Sequence, residues 1–193
     1  ISMAAHVIGE RGANDRMNKV LRNSTKRMLG LISDVMDMSR LQSGIGLGMN
    51  FVSTDLARLV EQLVEEIVVA HPETLIERHL PATLQADVDA GRMAQLVANL
   101  LSNARHHGSG GPITVDLRTT GETVTLTVRN FGEPIPADLA QSLFEPFKHQ
   151  SQGNERNPTG MGLGLYIADQ IIRGHRGEIG YRYDEGQVEF RCT

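Results

Sequence analysis

Tryptophan is missing from this 193-residue chain, cysteine occurs once, and aromatic residues make up only 4% of it. The single thiol, Cys192, excludes an internal disulfide and a zinc site built from cysteines, and it fits a reducing compartment. Few aromatics leave few platforms on which bases could stack. A net charge of −4 without a basic stripe argues against a nucleic-acid surface, because phosphate neutralisation supplies most of such affinity. No apolar run approaches the roughly 20 residues of a spanning helix, and the first residues lack a basic stretch ahead of an apolar one, so neither a membrane segment nor a signal peptide is expected. A cytoplasmic protein of ordinary globular composition, 40% hydrophobic and 22% charged, is the expectation, with one or two domains.

Proline is also missing from the first 71 residues; all seven prolines lie at or after Pro72. Long helices are therefore permitted there. From an N-cap at Asn14 or Asp15, Met17, Leu21, Ser24, Met28, Leu31, Val35 and Met38 follow one another at alternating spacings of four and three. Ile32 and Met36 widen this seam into a bundle-type face, and Gly44, Gly46 and Gly48 end the helix. Periodicity alone fits two readings equally, an amphipathic helix packed on its own domain or a dimer seam. Residues 1–8 read as the tail of an earlier helix, so residues 1–48 are expected to be the remainder of a helical hairpin.

From residue 49 the pattern becomes a mixed α/β alternation. A short strand is expected over 50–54, then a helix capped by Asp55 with Leu56, Leu59, Val60, Leu63, Val64 and Ile67 on one face. Strands follow at 74–79 and 83–88, and a second helix starts near Asp89 with Met93, Leu96, Val97, Leu100 and Leu101 on its apolar face. Two β-rich runs, 113–119 and 123–128, join around Gly121 as a hairpin. A helix over 163–174 and a hairpin around 184–186 complete an α+β domain, 49–193, with helices on one face of a mixed sheet.

Four stretches of this domain carry chemistry. Asn99 and Asn103 stand four residues apart on the second helix and share a face, and their amide oxygens suit a Mg²⁺ ion that takes its other ligands from water and phosphate. Such a pair is more often a plain polar helix face or a helix–loop contact. Asn130-Phe131-Gly132-Glu133-Pro134-Ile135 follows a strand; its Asn can accept from an amine such as that of adenine, and its glycine permits close backbone approach. As a bare turn it would mean nothing. Leu143-Phe144-Glu145-Pro146-Phe147 leads into a polar lid, 148–159. Gly160-Met161-Gly162-Leu163-Gly164-Leu165 runs into a helix, where free N–H groups at the positive end suit phosphate, although glycines before a helix often signify only tight packing.

Taken in order, the four resemble the N, G1, F and G2 boxes of sensor histidine kinases, within the ATP-binding superfamily shared with gyrases, a heat-shock chaperone and mismatch-repair ATPases. The stretch from Arg27 to Leu41 is similar to the second helix of that family's dimerisation and phosphotransfer domain, and Gly174-His175-Arg176-Gly177 is similar to its His-Gly-Gly turn. The form of the G1 and lid stretches looks most like the soluble kinase modules of bacteriophytochromes. The resemblance implies a dimeric four-helix-bundle remnant followed by a two-layer α/β sandwich of the histidine kinase ATPase type. It implies ATP and Mg²⁺ as cofactors, with Asn103 as principal metal ligand and Asn99 helping through metal or phosphate. By the same resemblance Asn130 sits at adenine, Gly132 gives room, Ile135 packs near the base and Lys148 contacts phosphate. Gly160, Gly162 and Gly164, with the N–H groups of Leu163 and Leu165, hold the phosphates. Implied partners are a second copy through residues 15–43 and a response-regulator receiver domain.

Three departures qualify the resemblance. The phosphoacceptor box carries a proline and an acidic neighbour, whereas His6, the one histidine ahead of the domain, is followed by Val7 and Ile8. The nucleophilic histidine is therefore expected upstream of Ile1, and no catalytic residue is identified in this chain. Asn130 stands where the family usually has Asp, which removes charge assistance worth up to ~1–2 kcal/mol. His106 stands where a lysine is usual, which shifts phosphate neutralisation toward Lys148. His71, His79, His149 and His175 lack metal-ligand pairing and are expected in structural or solvated roles.

Two functions from different classes follow. One is a kinase module that transfers the ATP γ-phosphoryl to an upstream histidine and then to a response-regulator aspartate. The other is a degenerate, non-enzymatic module that acts through nucleotide binding or dimerisation alone. A serine kinase of the anti-sigma type is disfavoured by the helical remnant.

Overall fold

A computed structural model describes Met17, Leu21, Ser24, Thr25 and residues 28–147 and 162–193. His6, Lys148, His149 and Gly160 lie outside the described residues. The chain divides into two compact units, Ile1–Gly44 and Ile45–Thr193.

In the first unit, helix α1 covers residues 28–42. It ends where Gly44 takes a φ of 71°, and its N–H donates to the Leu41 carbonyl at 3.1 Å, closing the last turn in a conformation that favours glycine. Of the seam residues, Met38 is buried, whereas Met17, Leu21, Met28 and Val35 are exposed on this single chain. Ile32 and Met36, which widen the seam, are exposed as well.

The second unit follows the expected alternation closely. Strand β1 (Val52–Asp55) pairs antiparallel with β3 (Gln85–Val88) in a two-stranded sheet. The strands β2 (Ile76–His79), β4 (Ile113–Thr120), β5 (Thr123–Phe131), β6 (Ile179–Asp184) and β7 (Gln187–Cys192) form a five-stranded sheet in the order β2-β4-β5-β7-β6. Only the β2–β4 pair of that sheet is parallel, so the sheet is mixed. The helices are α2 (Leu56–Ala70), α3 (Ala90–His107), the single turn α4 (Ala137–Ala140) and α5 (Gly164–Gly174).

Both long N-terminal caps arise from aspartates that fill orphan N–H groups. Asp55 Oδ1 accepts from Ala57 and Arg58 of α2 and also from Leu84, which ties the helix start to β3. Asp89 Oδ1 accepts from Arg92 of α3, while its Oδ2 accepts from Asn50. The strand reading needs one correction: Asn130 and Phe131 do not follow a strand but belong to β5, paired with Val188 and Gln187 of β7. A neighbouring strand extends β5 by three residues beyond what its own alternation suggests.

Alternation along the strands sends Val115, Leu117, Leu126, Val128, Val188 and Phe190 toward the helices, where all are buried. Leu96, Val97 and Leu100 of α3 and Ile167 and Ile171 of α5 are completely buried. Truncating one such leucine to alanine costs about 2–5 kcal/mol. Cys192 ends β7 in this core, where burial pushes its thiol up to about 12, so it is an inert packing residue. The opposite sheet face is polar. There Asp116, itself buried, accepts from Arg118 at 2.8 Å and from Arg129, with His79 Nδ1 at 3.2 Å. Helices thus cover one face only, and the architecture is a two-layer α/β sandwich within an α+β chain. Among the described residues no helix is long and apolar enough to cross a membrane.

Candidate functional site

Helix α3 presents Asn99, Asn103 and His106 at spacings of four and three, one above the other on a single face. Its apolar side buries Leu96, Val97 and Leu100, so the helix cannot roll and the polar row has a fixed direction. Asn99 is half-buried, and its Nδ2 donates to the Gly164 carbonyl at 3.0 Å. That bond joins two of the four stretches singled out in the sequence, 65 residues apart.

On the other side of this bond is the start of α5. Its first intrahelical bond runs from Ile167 N–H to the Leu163 carbonyl, and no side chain caps the helix. The N–H groups of Gly164, Leu165 and Tyr166 therefore lack intrahelical acceptors and carry the positive end of the helix dipole. Gly162 enters this turn at a φ of 67°, which side chains with a Cβ rarely adopt. The geometry suits an anion. Gly162, Leu163, Gly164 and Leu165 thus stand together with Asn99.

Asn130 is 4% exposed, at the helix-facing side of β5, and its Nδ2 donates to the Phe131 carbonyl at 3.0 Å. The same carbonyl accepts from Ser109 N–H at 2.9 Å, so the loop after α3 and the end of β5 are locked together. Gly132 lies close to this crossing: a Cβ there would sit 3.4 Å from both Asn130 Nδ2 and the His107 carbonyl, a snug contact rather than a clash. Ile135 is held through its N–H, which donates to the Tyr181 hydroxyl at 2.9 Å. Farther on, Leu143 is buried and Phe144 meets Phe190 edge-on with ring centroids 6.4 Å apart, anchoring the third stretch in the core.

His106 is engaged within its own helix. Its Nδ1 lies 2.7 Å from the Ser102 carbonyl, which can only accept, so Nδ1 faces it as a donor. Its Nε2 lies 3.2 Å from Arg105 Nη2. The permanent positive charge beside this row belongs to Arg105. Sequence reasoning missed Arg105, although its place next to His106 on a helix C-terminus was a signal.

A cavity of about 280 Å³ opens at the C-terminal end of α3, lined by Glu73, Thr74, Arg105, Gly108, Gly111 and Asn130 among others. Of the described site residues expected from the sequence only Asn130 lines it, so it is not the space between Asn99 and α5. His71 and His175 occupy C-cap positions of α2 and α5; His71 faces Glu73 at 3.4 Å, and His175 is bonded on both ring nitrogens. Among the described residues no group of three or more His, Cys, Asp or Glu side chains gathers to hold a metal.

Residues 88–193 match the family described as histidine kinase-, DNA gyrase B-, and HSP90-like ATPase. The chain is 46% identical over 184 residues to a bacteriophytochrome of Pseudomonas aeruginosa, covering 93% of this chain and 25% of that protein. It is 35% identical over 170 residues to the probable sensor histidine kinase TcrY of Mycobacterium tuberculosis, covering 87% of this chain and 35% of that protein. The chain thus spans about a quarter to a third of the length of these relatives. Among solved structures, the catalytic domain of histidine kinase ThkA superposes with a TM-score of 0.65 at 26% identity, over 75% of this chain and 94% of that one. The histidine kinase AdeS of Acinetobacter baumannii shares the fold, with a TM-score of 0.72 at 22% identity over 90% of this chain and 81% of that one.

Proposed function

This chain belongs to the histidine kinase-, DNA gyrase B- and HSP90-like ATPase family, and from that premise we propose that it is the ATP-binding module of a sensor histidine kinase. The observation that carries this reading is the seam between α3 and α5, where the Asn99 amide meets the carbonyl of Gly164 beside an uncapped helix start. Gly162 and Gly164, with the N–H groups of Leu163 and Leu165, hold the nucleotide phosphates, and Gly160 completes that glycine stretch in the sequence. Asn130 accepts from the adenine amine, Gly132 leaves room for the base and Ile135 packs against it. Lys148 contributes phosphate contact from the lid.

An Asn oxygen is a neutral ligand, and with no carboxylate cluster among the described residues a metal here draws its negative ligands from phosphate. That donor set suits Mg²⁺, with Asn103 as its principal protein ligand and Asn99 one turn away. Bound there, Mg²⁺ supplies charge neutralisation to the transferring phosphoryl group. The residues of the chain bind and orient the nucleotide and exclude water. A histidine nitrogen from the phosphotransfer box of the full-length protein attacks the γ-phosphorus as its bond to the β–γ bridging oxygen breaks and ADP leaves; the phosphoryl group then passes to a response-regulator aspartate, breaking the phosphorus–nitrogen bond and freeing the histidine. The exposed apolar row of Met17, Leu21, Met28 and Val35 fits a homodimer through residues 15–43.

One observation favours a second reading, a module that binds nucleotide weakly and works through its helical dimer. Asn130 carries no charge where the family usually has Asp, and both ring nitrogens of His106, which stands where a lysine is usual, face groups of their own helix, Ser102 and Arg105. Titration calorimetry of ATP, with and without Mg²⁺, on the intact chain and on Asn103→Ala separates the two. Mg²⁺-dependent binding that the substitution weakens supports the kinase module. No binding by the intact chain supports the second reading.

A further inference from the structure

Asn99 has a role that ligation of a metal does not describe. Helices α3 and α5 run antiparallel, with a polar contact at each end of the apolar seam they share. At one end the backbone N–H of Asp89, the cap of α3, donates to His175 Nε2 at the end of α5 at 3.0 Å. At the other end Asn99 Nδ2 donates to the Gly164 carbonyl at 3.0 Å. From Asp89 to Asn99 is a rise of roughly 15 Å, and from Gly164 to His175 roughly 16 Å, so the two contacts define one register and agree to within about one residue. Leu96 and Leu100 on one helix and Ile167 and Ile171 on the other are fully buried, so the seam between the two polar contacts is packed.

The amide orientation follows from chemistry. A backbone carbonyl only accepts, so the atom facing Gly164 is the nitrogen, and Asn99 Oδ1 is turned away from that carbonyl. A Cβ at position 164 would sit 3.6 Å from Asn99 Cγ and 3.8 Å from Oδ1, so the amide lies against the first residue of α5 at ordinary contact distance.

We propose that Asn99 is a positioning residue that holds the phosphate turn, Gly162–Leu165, at a set distance from Asn103 by tethering Gly164. This rests on the nucleotide-site reading above. Because the tether exists before nucleotide arrives, it acts on ATP binding whether or not Mg²⁺ is present. A metal ligand acts only when Mg²⁺ is present.

The test compares Asn99→Ala, Asn99→Asp and Asn103→Ala in the intact chain, after thermal unfolding has verified that each is folded. ATP affinity is read by calorimetry in Mg²⁺ and in EDTA, and amide exchange of Gly164, Leu165 and Tyr166 is read without nucleotide. The tether predicts that Asn99→Ala weakens ATP by the same factor in both buffers, about threefold to tenfold, as the loss of one hydrogen bond gives. It also predicts faster exchange in the first turn of α5 for both Asn99 variants, since Asp keeps the oxygen but loses the donated N–H. Asn103→Ala loses only the Mg²⁺-dependent part and leaves exchange unchanged. A loss confined to Mg²⁺ for Asn99→Ala, with unchanged exchange, overturns the tether. If the wild-type chain binds no ATP, the nucleotide reading fails, and exchange in α5 still decides whether Asn99 holds the turn.

Discussion

His175 Nε2 accepts the backbone N–H of Asp89 at 3.0 Å, and its Nδ1 donates to the Ile171 carbonyl at 2.8 Å. The ring thereby joins the end of α5 to the start of α3 and sits edge-on to Phe51, with centroids 5.3 Å apart. Asp89 in turn accepts from Asn50, and Arg92 Nη2 donates to the Leu47 carbonyl. One histidine therefore closes a knot that gathers residues 47–51, α3 and α5. Replacing it with alanine leaves the Asp89 N–H without its acceptor and removes one of two donors to the Ile171 carbonyl, which keeps the backbone N–H of residue 175 at 3.1 Å. His175→Ala is expected to lower stability by about 1–3 kcal/mol in a urea unfolding curve. A change below ~0.5 kcal/mol would show that water serves these groups equally well.

Two neighbouring glycines separate backbone from side-chain crowding. A Cβ at Gly174 would fall 2.1 Å from Met49 Cε, the free end of a flexible chain, and a Cβ at Gly177 would fall 2.1 Å from the Thr193 carbonyl. Gly177 lies where Glu178 and Thr193 exchange both backbone hydrogen bonds at 2.9 Å, so it cannot give way without breaking that pair. Gly177→Ala is expected to destabilise by about 1–3 kcal/mol, and Gly174→Ala by less than ~1 kcal/mol, as Met49 swings aside. Thermal melts of the two single variants check the order.

The polar sheet face gives the fold an acid dependence. Burial opposes the ionisation of Asp116, but hydrogen bonds from Arg118 and Arg129 outweigh it and hold the carboxyl below its ordinary value of 3.8. At Asp89, too, burial opposes ionisation, and the N–H groups of Asn50, Arg92 and Gly91 outweigh it. A lowered folded value means that the stabilisation is present above the ordinary aspartate range and is lost as pH falls through the folded value. Stability is expected to fall steeply below about pH 4, and Asp116→Asn is expected to flatten that part of the profile. At neutral pH, Asp116→Ala costs about 3 kcal/mol, because Arg118 and Arg129 lose their buried partner. Denaturant curves at a series of pH values measure both.

The engagement of His106 within its own helix makes a functional prediction. Its two nitrogens face Ser102 and Arg105 rather than the row of Asn99 and Asn103. His106→Lys places a cation one turn from Asn103 and is expected to tighten ATP binding by about threefold to tenfold at low salt, and less at high salt. Calorimetry at two ionic strengths checks it. Unchanged affinity at low salt would mean that position 106 does not face the phosphates.

Much of the second unit is legible in sequence because its signals are local. Asp55 and Asp89 stand immediately before apolar helical periods, and the two-residue turn at Gly121 separates two alternating runs, so these elements lie where their own residues put them. What was missed depends on distant partners. Asn130 and Phe131 read as a turn because a strand's end is set by pairing with β7, some 60 residues on. The turn α4 has only four residues and no side-chain cap, so it has no period to detect. His175 reads as a loop histidine until Asp89, 86 residues earlier, is brought beside it. In the site, the types and spacing of Asn99, Asn103 and the glycines were readable. The engagement of His106 by Ser102 and Arg105 was not, because it depends on which atoms face its nitrogens.

The central claim is that the free N–H groups at the start of α5, set against Asn99 and Asn103, receive the phosphates of ATP. The most direct measurement is residue-resolved amide NMR of Gly164, Leu165 and Tyr166 during titration with ATP and Mg²⁺. The account predicts large shifts and slowed exchange at these three amides, with Asn130 following and the Arg118 and Glu178 amides unmoved. Binding that leaves the α5 amides unperturbed would contradict it.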